Sequence, residues 1–373
     1  MPRRKPISPV SSTESAAPGD WLPEGRALAE LQSAISSAPT ISVLSACAAD
    51  AHSLMSMLYR ERVGAAVITR VLSRCNDQIV QRTLELTAFK FRLPPTKLCW
   101  LGLGSEGRLE QTLATDQDNA LLFVASDAAE ARQLREHLLP YAQAVNSALA
   151  DCGFPLCNGG VMAGNPAWCL SLGEWRDCFS RWIRTPEPEA LLNASIFFDF
   201  RCIWGSAQLA RVLREHLRTL AGSNDIFLRM MATNALAAEP PLGRLRGFIT
   251  DADAGDTLDL KKFGSRIFVD AARILALAYG IDEPATVQRL LGVAAAGGLV
   301  SGEAEGLVRA FLALQDLRLA SQIRSVIDFN VCPSDNRIAP AQLNDFDRAG
   351  LLEALNQARA LQRRLKIRFH IEC

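Results

Sequence analysis

Cys99-Trp100-Leu101-Gly102-Leu103-Gly104-Ser105-Glu106-Gly107-Arg108-Leu109-Glu110-Gln111-Thr112-Leu113-Ala114-Thr115-Asp116-Gln117-Asp118-Asn119-Ala120-Leu121-Leu122-Phe123-Val124 is the stretch whose reading decides the fold. It spells strand, Gly/Ser turn, short helix, two carboxylates, strand. Leu98 to Leu103 is an apolar run of the length of a buried strand. Gly104-Ser105 lets the backbone turn tightly and approach a ligand, and Ser105 can cap the helix that follows. Asp116 and Asp118 open the next apolar run, Ala120 to Val124. Residues two apart in a strand point to the same side, so both carboxylates are expected to face one point beside the Gly-Ser turn.

Two carboxylates at that spacing repel, and each raises the other's pKa unless a cation lies between them. A hard divalent ion held by carboxylates, waters and substrate phosphates resolves the repulsion. Backbone amides at the turn and helix start suit a phosphate. Together these features describe a site for nucleoside triphosphate chemistry. Gly102, Gly104 and Gly107 also spell G-x-G-x-x-G after a strand, the pattern of a dinucleotide fold. That fold wants its acidic residue after the second strand, whereas Asp116 and Asp118 precede theirs. A P-loop fits less well still, because no Lys follows the glycines.

Gly104-Ser105-x-Gly107-Arg108-x-Glu110-x5-Asp116-x-Asp118 resembles the nucleotidyltransferase motif of the polymerase-beta superfamily, in its PII-uridylyltransferase-like branch. The wording from Gly104 to Ala120 is similar to the nucleotidyltransferases of the DUF294 family. The likeness continues through Asn158 to Ala163, Asn165-Pro166-x-Trp168, Phe197 to Arg201 and Asp259 to Lys262, over roughly residues 40–370. The resemblance implies an α+β fold: a small mixed nucleotidyltransferase sheet with flanking helices, an N-terminal helical segment before it and an all-α bundle after it. It implies transfer of an NMP from an NTP to an acceptor, which in uridylylation is a regulatory protein. It also implies Mg²⁺ or Mn²⁺ on Asp116 and Asp118, phosphates against Gly104, Ser105 and Gly107, and CBS or cyclic-nucleotide-binding modules as regulatory partners. The alternative reading is a nucleotide-binding signalling protein with weak or no turnover.

The rest of the chain fills this frame. Of 373 residues, 49% are hydrophobic, ample for a core, and 40 Lys plus Arg balance 40 Asp plus Glu. Nothing in the bulk charge advertises nucleic acid. Ten cysteines show no CxxC pair and read as reduced buried thiols of a cytoplasmic protein. The four histidines are scattered, giving no zinc pattern. No unbroken run reaches the ~20 apolar residues of a membrane span. Residues 1–20, rich in Pro, Ser and Arg, read as a disordered leader rather than a signal peptide. The expected division is leader 1–20, N-terminal helical segment 21–92, nucleotidyltransferase core 93–186 and C-terminal helical domain 187–373, which would bind substrate or regulate. Oligomerisation is left open.

Helical spacing recurs through residues 22–90 (Leu28, Leu31, Ile35; Leu54, Met57, Leu58; Val67, Ile68, Val71, Leu72) and stops at Pro94-Pro95. Ala128 to Ala150 reads as an amphipathic helix, and Leu156 to Met162 as the third strand. That strand often bears a third carboxylate in the superfamily. Here it offers only Asn158, which can touch metal or ribose without supplying charge. Trp168, Trp175 and Trp182, every seventh residue, read as a packing seam or a base-stacking face. From Glu189 onward segments 189–204, 206–221, 224–238, 258–280, 286–297, 302–329 and 341–372 read as helices, with breaks at Pro240-Pro241, Asp251–Asp256 and Cys332-Pro333. The Asp251–Asp256 run fails the spacing of a calcium loop and reads as a surface loop.

Several polar residues carry two readings. Arg108 either touches a phosphate or pairs with Glu110. Thr115 caps or orients the acidic loop. Asp199 and Arg201, placed in an aromatic helix, form a structural ion pair or face the nucleotide. Lys261, with Lys262, reaches the triphosphate from the second domain or is a solvated pair. Arg363, Arg364, Lys366 and Arg368 suit a helix C-terminus.

Overall fold

The computed structural model describes residues 23–243, 247–329 and 336–372. The leader at 1–20 and the Cys332-Pro333 break lie outside them. Three helices come first: α1 (Pro23–Ser37), α2 (Ile41–Arg60) and α3 (Ala65–Ala88). Thr40 caps α2 by accepting from Val43 N. Gly64 heads α3 with no side chain to offer, and Asp316, distant in sequence, accepts from Ala65 N at 2.7 Å. Although interrupted by Asp50 and His52, α2 is long and apolar enough to cross a membrane by length and composition, with mean hydropathy 1.3. Its apolar side, with Leu44, Ala51 and Met55, is buried, and it packs on α1, α3 and the later helix Ala128–Asp151.

The chain then builds a four-stranded sheet. Strand β1 (Leu98–Gly102) leads through a single turn, α4 (Gly104–Gly107), to β2 (Asn119–Phe123). The two strands are antiparallel, with Gly102 opposite Asn119, and every residue of both is buried. Helix α5 (Ala128–Asp151), capped by Asp127, returns the chain to β3 (Cys169–Ser171), parallel to β2. Then come α6 (Leu172–Arg184), α7 (Pro188–Phe197) and β4 (Arg201–Gly205), antiparallel to β1. The order is β3-β2-β1-β4, the expected small mixed sheet among helices.

Two expectations fail here. The third strand is not Leu156 to Met162, because that segment turns at Gly160 (φ +66°) and meets the sheet only where Asn119 N donates to Val161 O at 3.1 Å. The stretch 189–204 is not one helix either. It ends at Phe197, and Cys202-Ile203-Trp204, good strand formers, give β4 its edge position beside β1.

The described residues that remain are mainly helical and include one short two-stranded ribbon. Helices α8 (Ala207–Gly222) and α9 (Asp225–Ala235) precede β5 (Leu258–Asp259), a π-helical turn at Lys261–Ser265, and α10 (Arg266–Tyr279). Next are α11 (Thr286–Ala295), α12 (Ser301–Phe329), β6 (Arg337–Ile338) and α13 (Asp345–Arg368). β5 pairs with β6, so the expected helix 258–280 starts only at Arg266. Asp251 to Asp256 is largely exposed, with Asp251 on Arg337 at 2.9 Å.

Strand alternation divides the apolar core. Leu98, Trp100, Leu121 and Phe123 join a cluster with α1, α2, α3 and α5. Cys99, Leu101, Ala120 and Leu122 face the other way, into a cluster that runs on through α6 to α13. The sheet is therefore covered on both faces, and packing continues without a break across Pro186 and Pro188.

Candidate functional site

The site forms where β1 ends. Leu103 N donates to Asp118 O at 2.9 Å, tying the strand's exit to the acidic segment. Gly104 then turns with φ +53°, and a Cβ there would lie 3.2 Å from Asp118 Oδ2. Only a glycine gives both the positive φ and this bare approach to the carboxylate. Gly107 has a different reason: a Cβ would lie 2.0 Å from the Asp199 carbonyl oxygen. It is a packing glycine, buried, with no open side for a phosphate.

Asp116 and Asp118 lie in an extended segment just before β2 rather than within it. They share a side because the residue between them is pinned the other way. Gln117 is buried, its Nε2 donating to Asn146 O and Phe154 O, each at 2.9 Å. The two carboxylates and Cys157 Sγ bring their ligating atoms within 4.8 Å of one another. Asp116 is exposed, while Asp118 and Cys157 are half-buried. Burial first, then Asp116, pushes the Asp118 carboxyl up to about 6; the Cys157 thiol, Lys261 and Arg108 act against that. Neither carboxylate forms an ion pair among the described residues. Converging donors that lack a cationic partner fit a divalent ion.

Cys157 carries no local signal of a ligand, because it is one of ten cysteines without a CxxC pair. Asn158, the residue chosen there, is exposed. Glu106, inside the motif, was also passed over. It is buried, and burial with the nearby Asp77 charge pushes its carboxyl up to about 8.

Beside Ser105 opens a cavity of about 250 Å³. Ser105, Arg108, Glu110 and Thr112 line it from the nucleotidyltransferase motif, and Lys261, Asp270, Arg273 and Arg318 from the C-terminal half. Lys261 is thereby brought from the C-terminal helices to the Gly-Ser turn, while Lys262 is exposed next to it. Arg108 does pair with Glu110 (2.7 Å), and it also reaches Asp199 at 2.6 Å. Thr115 Oγ1 accepts from Gln111 Nε2 at 3.4 Å and caps nothing.

Asp199 and Arg201 do not pair with each other. Asp199 is fully buried just after α7, held by Arg108, Arg273 (2.6 Å) and Arg289 (2.5 Å). Burial opposes its charge, but the three guanidiniums win and hold the carboxyl well below the usual range. Arg201 opens β4 and makes a bidentate pair with Asp77 of α3, both bonds 2.8 Å. Asp199 is thus fully enclosed, and the Arg201 guanidinium is taken up by Asp77 and by the Glu106 carbonyl, to which its Nη2 donates at 3.0 Å. Trp175 and Trp182 are buried on α6, packed with Trp168, Phe179 and Phe197. That is the packing seam rather than a base-stacking face. Ser171 and Glu174 form a capping box at the start of that helix.

Two family models match the chain. One, described as putative nucleotidyltransferase DUF294, covers residues 49–189; the other, putative nucleotidyltransferase substrate binding domain, covers residues 225–369. No curated protein matches. The first match contains Gly104 to Asp118 and Cys157, and the second contains Lys261, Arg273 and Arg318. The cavity is lined from both.

Proposed function

The chain belongs to the DUF294 nucleotidyltransferase family, and from that premise we propose that it transfers an NMP from an NTP to an acceptor in a metal-dependent reaction. One observation carries the reading: Asp116, Asp118 and Cys157 converge beside Gly104-Ser105, and Ser105 in turn lines a cavity rich in cations. A divalent ion held by these three donors would neutralise phosphate charge and orient the triphosphate. Ser105 and Lys261, which both line this cavity, would meet the phosphates, while Arg108, tied to Glu110 and Asp199, stiffens its wall. The acceptor displaces pyrophosphate from the α-phosphorus. The acceptor proposed here is a protein, on the motif's resemblance to the PII-uridylyltransferase-like branch. On this reading residues 93–186 supply the metal ligands and residues 187–373 cover the substrate.

A second reading has its own support. The third donor is a thiol where a charged carboxylate is expected, which favours a site that binds nucleotide with little or no turnover and signals through the helices. Incubation with Mg²⁺ or Mn²⁺ and each labelled NTP, with and without cell extract, separates the two. Pyrophosphate release lost in Asp116→Ala and Asp118→Ala supports transfer. Metal-dependent nucleotide binding with no release under any condition rejects it in favour of sensing.

A further inference from the structure

Around the cavity beside Ser105 cations exceed carboxylates, and the excess can be traced to single residues. Glu110 and Asp270 are the carboxylates that line it. Glu110 is occupied by Arg108 and by Thr286, whose N and Oγ1 donate to it at 2.6 and 3.1 Å. Asp270 is occupied by Arg273 (2.7 Å) and Arg266 (3.2 Å). Arg108 and Arg273 also share Asp199. Arg318 has no carboxylate among the described residues. Its Nε and Nη2 donate to Asn336 Oδ1 at 3.1 and 2.8 Å, and its Nη1 donates to Gln315 Oε1 and to Ser265 Oγ. Every acceptor is neutral, and the residue is only 7% exposed.

A guanidinium buried without a counter-charge is costly, because hydrogen bonds to neutral groups replace only part of its hydration. Burial draws its pKa down to about 10, so it stays charged at neutral pH. Ser265 and Gln315, which hold it, line the same cavity, as does Lys261, a cation likewise outside any ion pair among the described residues. At about 250 Å³ the cavity is smaller than the ~300–1,000 Å³ that whole drug-sized ligands occupy. It has room for a small polar group, not for a complete nucleotide.

We propose that this cavity is an oxyanion site for phosphate groups, with Arg318 as its buried anchoring cation and Lys261 at its entrance. The ligand brings the counter-charge that the fold withholds from Arg318. The proposal rests on reading this cavity as the phosphate side of the transfer site, and it assigns the anchor to α12. The phosphates can come from the polyphosphate tail of an NTP or from a phosphorylated acceptor.

Thermal melting and calorimetric titration of the full chain in EDTA, with phosphate, pyrophosphate or tripolyphosphate, test it. Wild type should bind pyrophosphate or phosphate and melt higher with it. Arg318→Met should weaken that binding about 10- to 100-fold, the worth of one or two charge-assisted hydrogen bonds, and should melt higher than wild type when ligand-free. Arg318→Lys, which keeps the charge on a differently shaped head, should lose only part of the binding and remains informative if the methionine variant does not fold. Tight tripolyphosphate and weak phosphate identify an NTP tail; equal response to phosphate identifies a phosphorylated acceptor. Oxyanion binding unchanged in both Arg318 variants, or none in wild type, overturns the proposal. Because metal is absent, this binding does not depend on Asp116, Asp118 and Cys157 holding an ion. Oxyanion binding without turnover of any NTP would therefore leave this site standing while the transfer reading fell, and turnover untouched by either Arg318 variant would do the reverse.

Discussion

Glu106 shows how single residues set the pH behaviour of the site. Its carboxyl is buried against Gly102, and its folded pKa of about 8 lies above the ordinary carboxylate value. The folded chain therefore holds a proton that the unfolded chain has lost, so stability falls as pH rises from about 4.5 towards about 8, by up to ~1.4 kcal/mol per pH unit. Above that range this slope vanishes. Glu106→Gln should flatten the profile and melt higher than wild type at pH 8; an unchanged slope in urea titrations from pH 5 to 8 would remove Glu106 as the cause. Cys157 sets a second property. Thiolates favour borderline ions such as Co²⁺ or Zn²⁺ over Mg²⁺, which demands oxygen ligands. Cys157→Asp should strengthen Mg²⁺ binding roughly 10-fold or more, and Cys157→Ser should abolish the sulfur-to-metal charge-transfer band of the Co²⁺-loaded protein. A band of equal intensity in the serine variant would mean that sulfur does not bind the ion.

At the scale of elements, the Asp199 carboxylate ties together parts that meet nowhere else in sequence. It draws Arg108 from the residue after α4, Arg273 from α10 and Arg289 from α11 onto one atom pair. Removing one partner of a buried ion pair leaves uncompensated charge, typically at a cost of about 3–5 kcal/mol. Asp199→Asn should destabilise by that order, read by denaturant midpoint, because three guanidiniums lose their counter-charge. The sign with pH follows from a depressed carboxyl: its contribution is complete above the unfolded carboxylate value, about 4, and is lost progressively as pH falls below that value towards the far lower folded one. A denaturant midpoint within ~0.5 kcal/mol of wild type would show that the arginines find other partners. The same cluster marks where sequence reading stops. β1, the Gly-Ser turn and β2 were legible because period, turn chemistry and apolar runs are local signals. β4 was hidden because five residues between two helices carry too little period. The partners of Asp199 and Arg201, and the thiol beside Asp118, were hidden because nothing local records which distant side chain arrives. Arg318 left a faint trace: with Phe311 and Leu314 it sits on one buried stripe of α12, where an unpaired charge is out of place.

On the scale of the whole molecule, the sheet has no free face on which a boundary could be drawn. Trp100, Leu121 and Phe123 are covered by the N-terminal helices and α5, while Leu101, Ala120 and Leu122 belong to a core that reaches α13. Cross-ties repeat the pattern: Asp77 of α3 holds Arg201 of β4, and Asp316 of α12 accepts from the first amide of α3. The site shares this dependence, since the converging carboxylate and thiol donors come from residues 116–157 and most of the cavity's cations from 261–318. A fragment of residues 93–186 would expose much of both sheet faces, an apolar area well beyond what single soluble domains leave uncovered. Such a fragment should bind a hydrophobic dye and show no cooperative melt, whereas residues 23–372 should unfold in one transition. The reason is mechanical as well as energetic: Asp116 and Asp118 hold their shared side only while Gln117 is anchored and β2 is packed. A sharp, dye-silent melt of the short fragment would mean that the sheet needs neither layer, and the coupling between the acidic segment and the helices would then lose its physical basis.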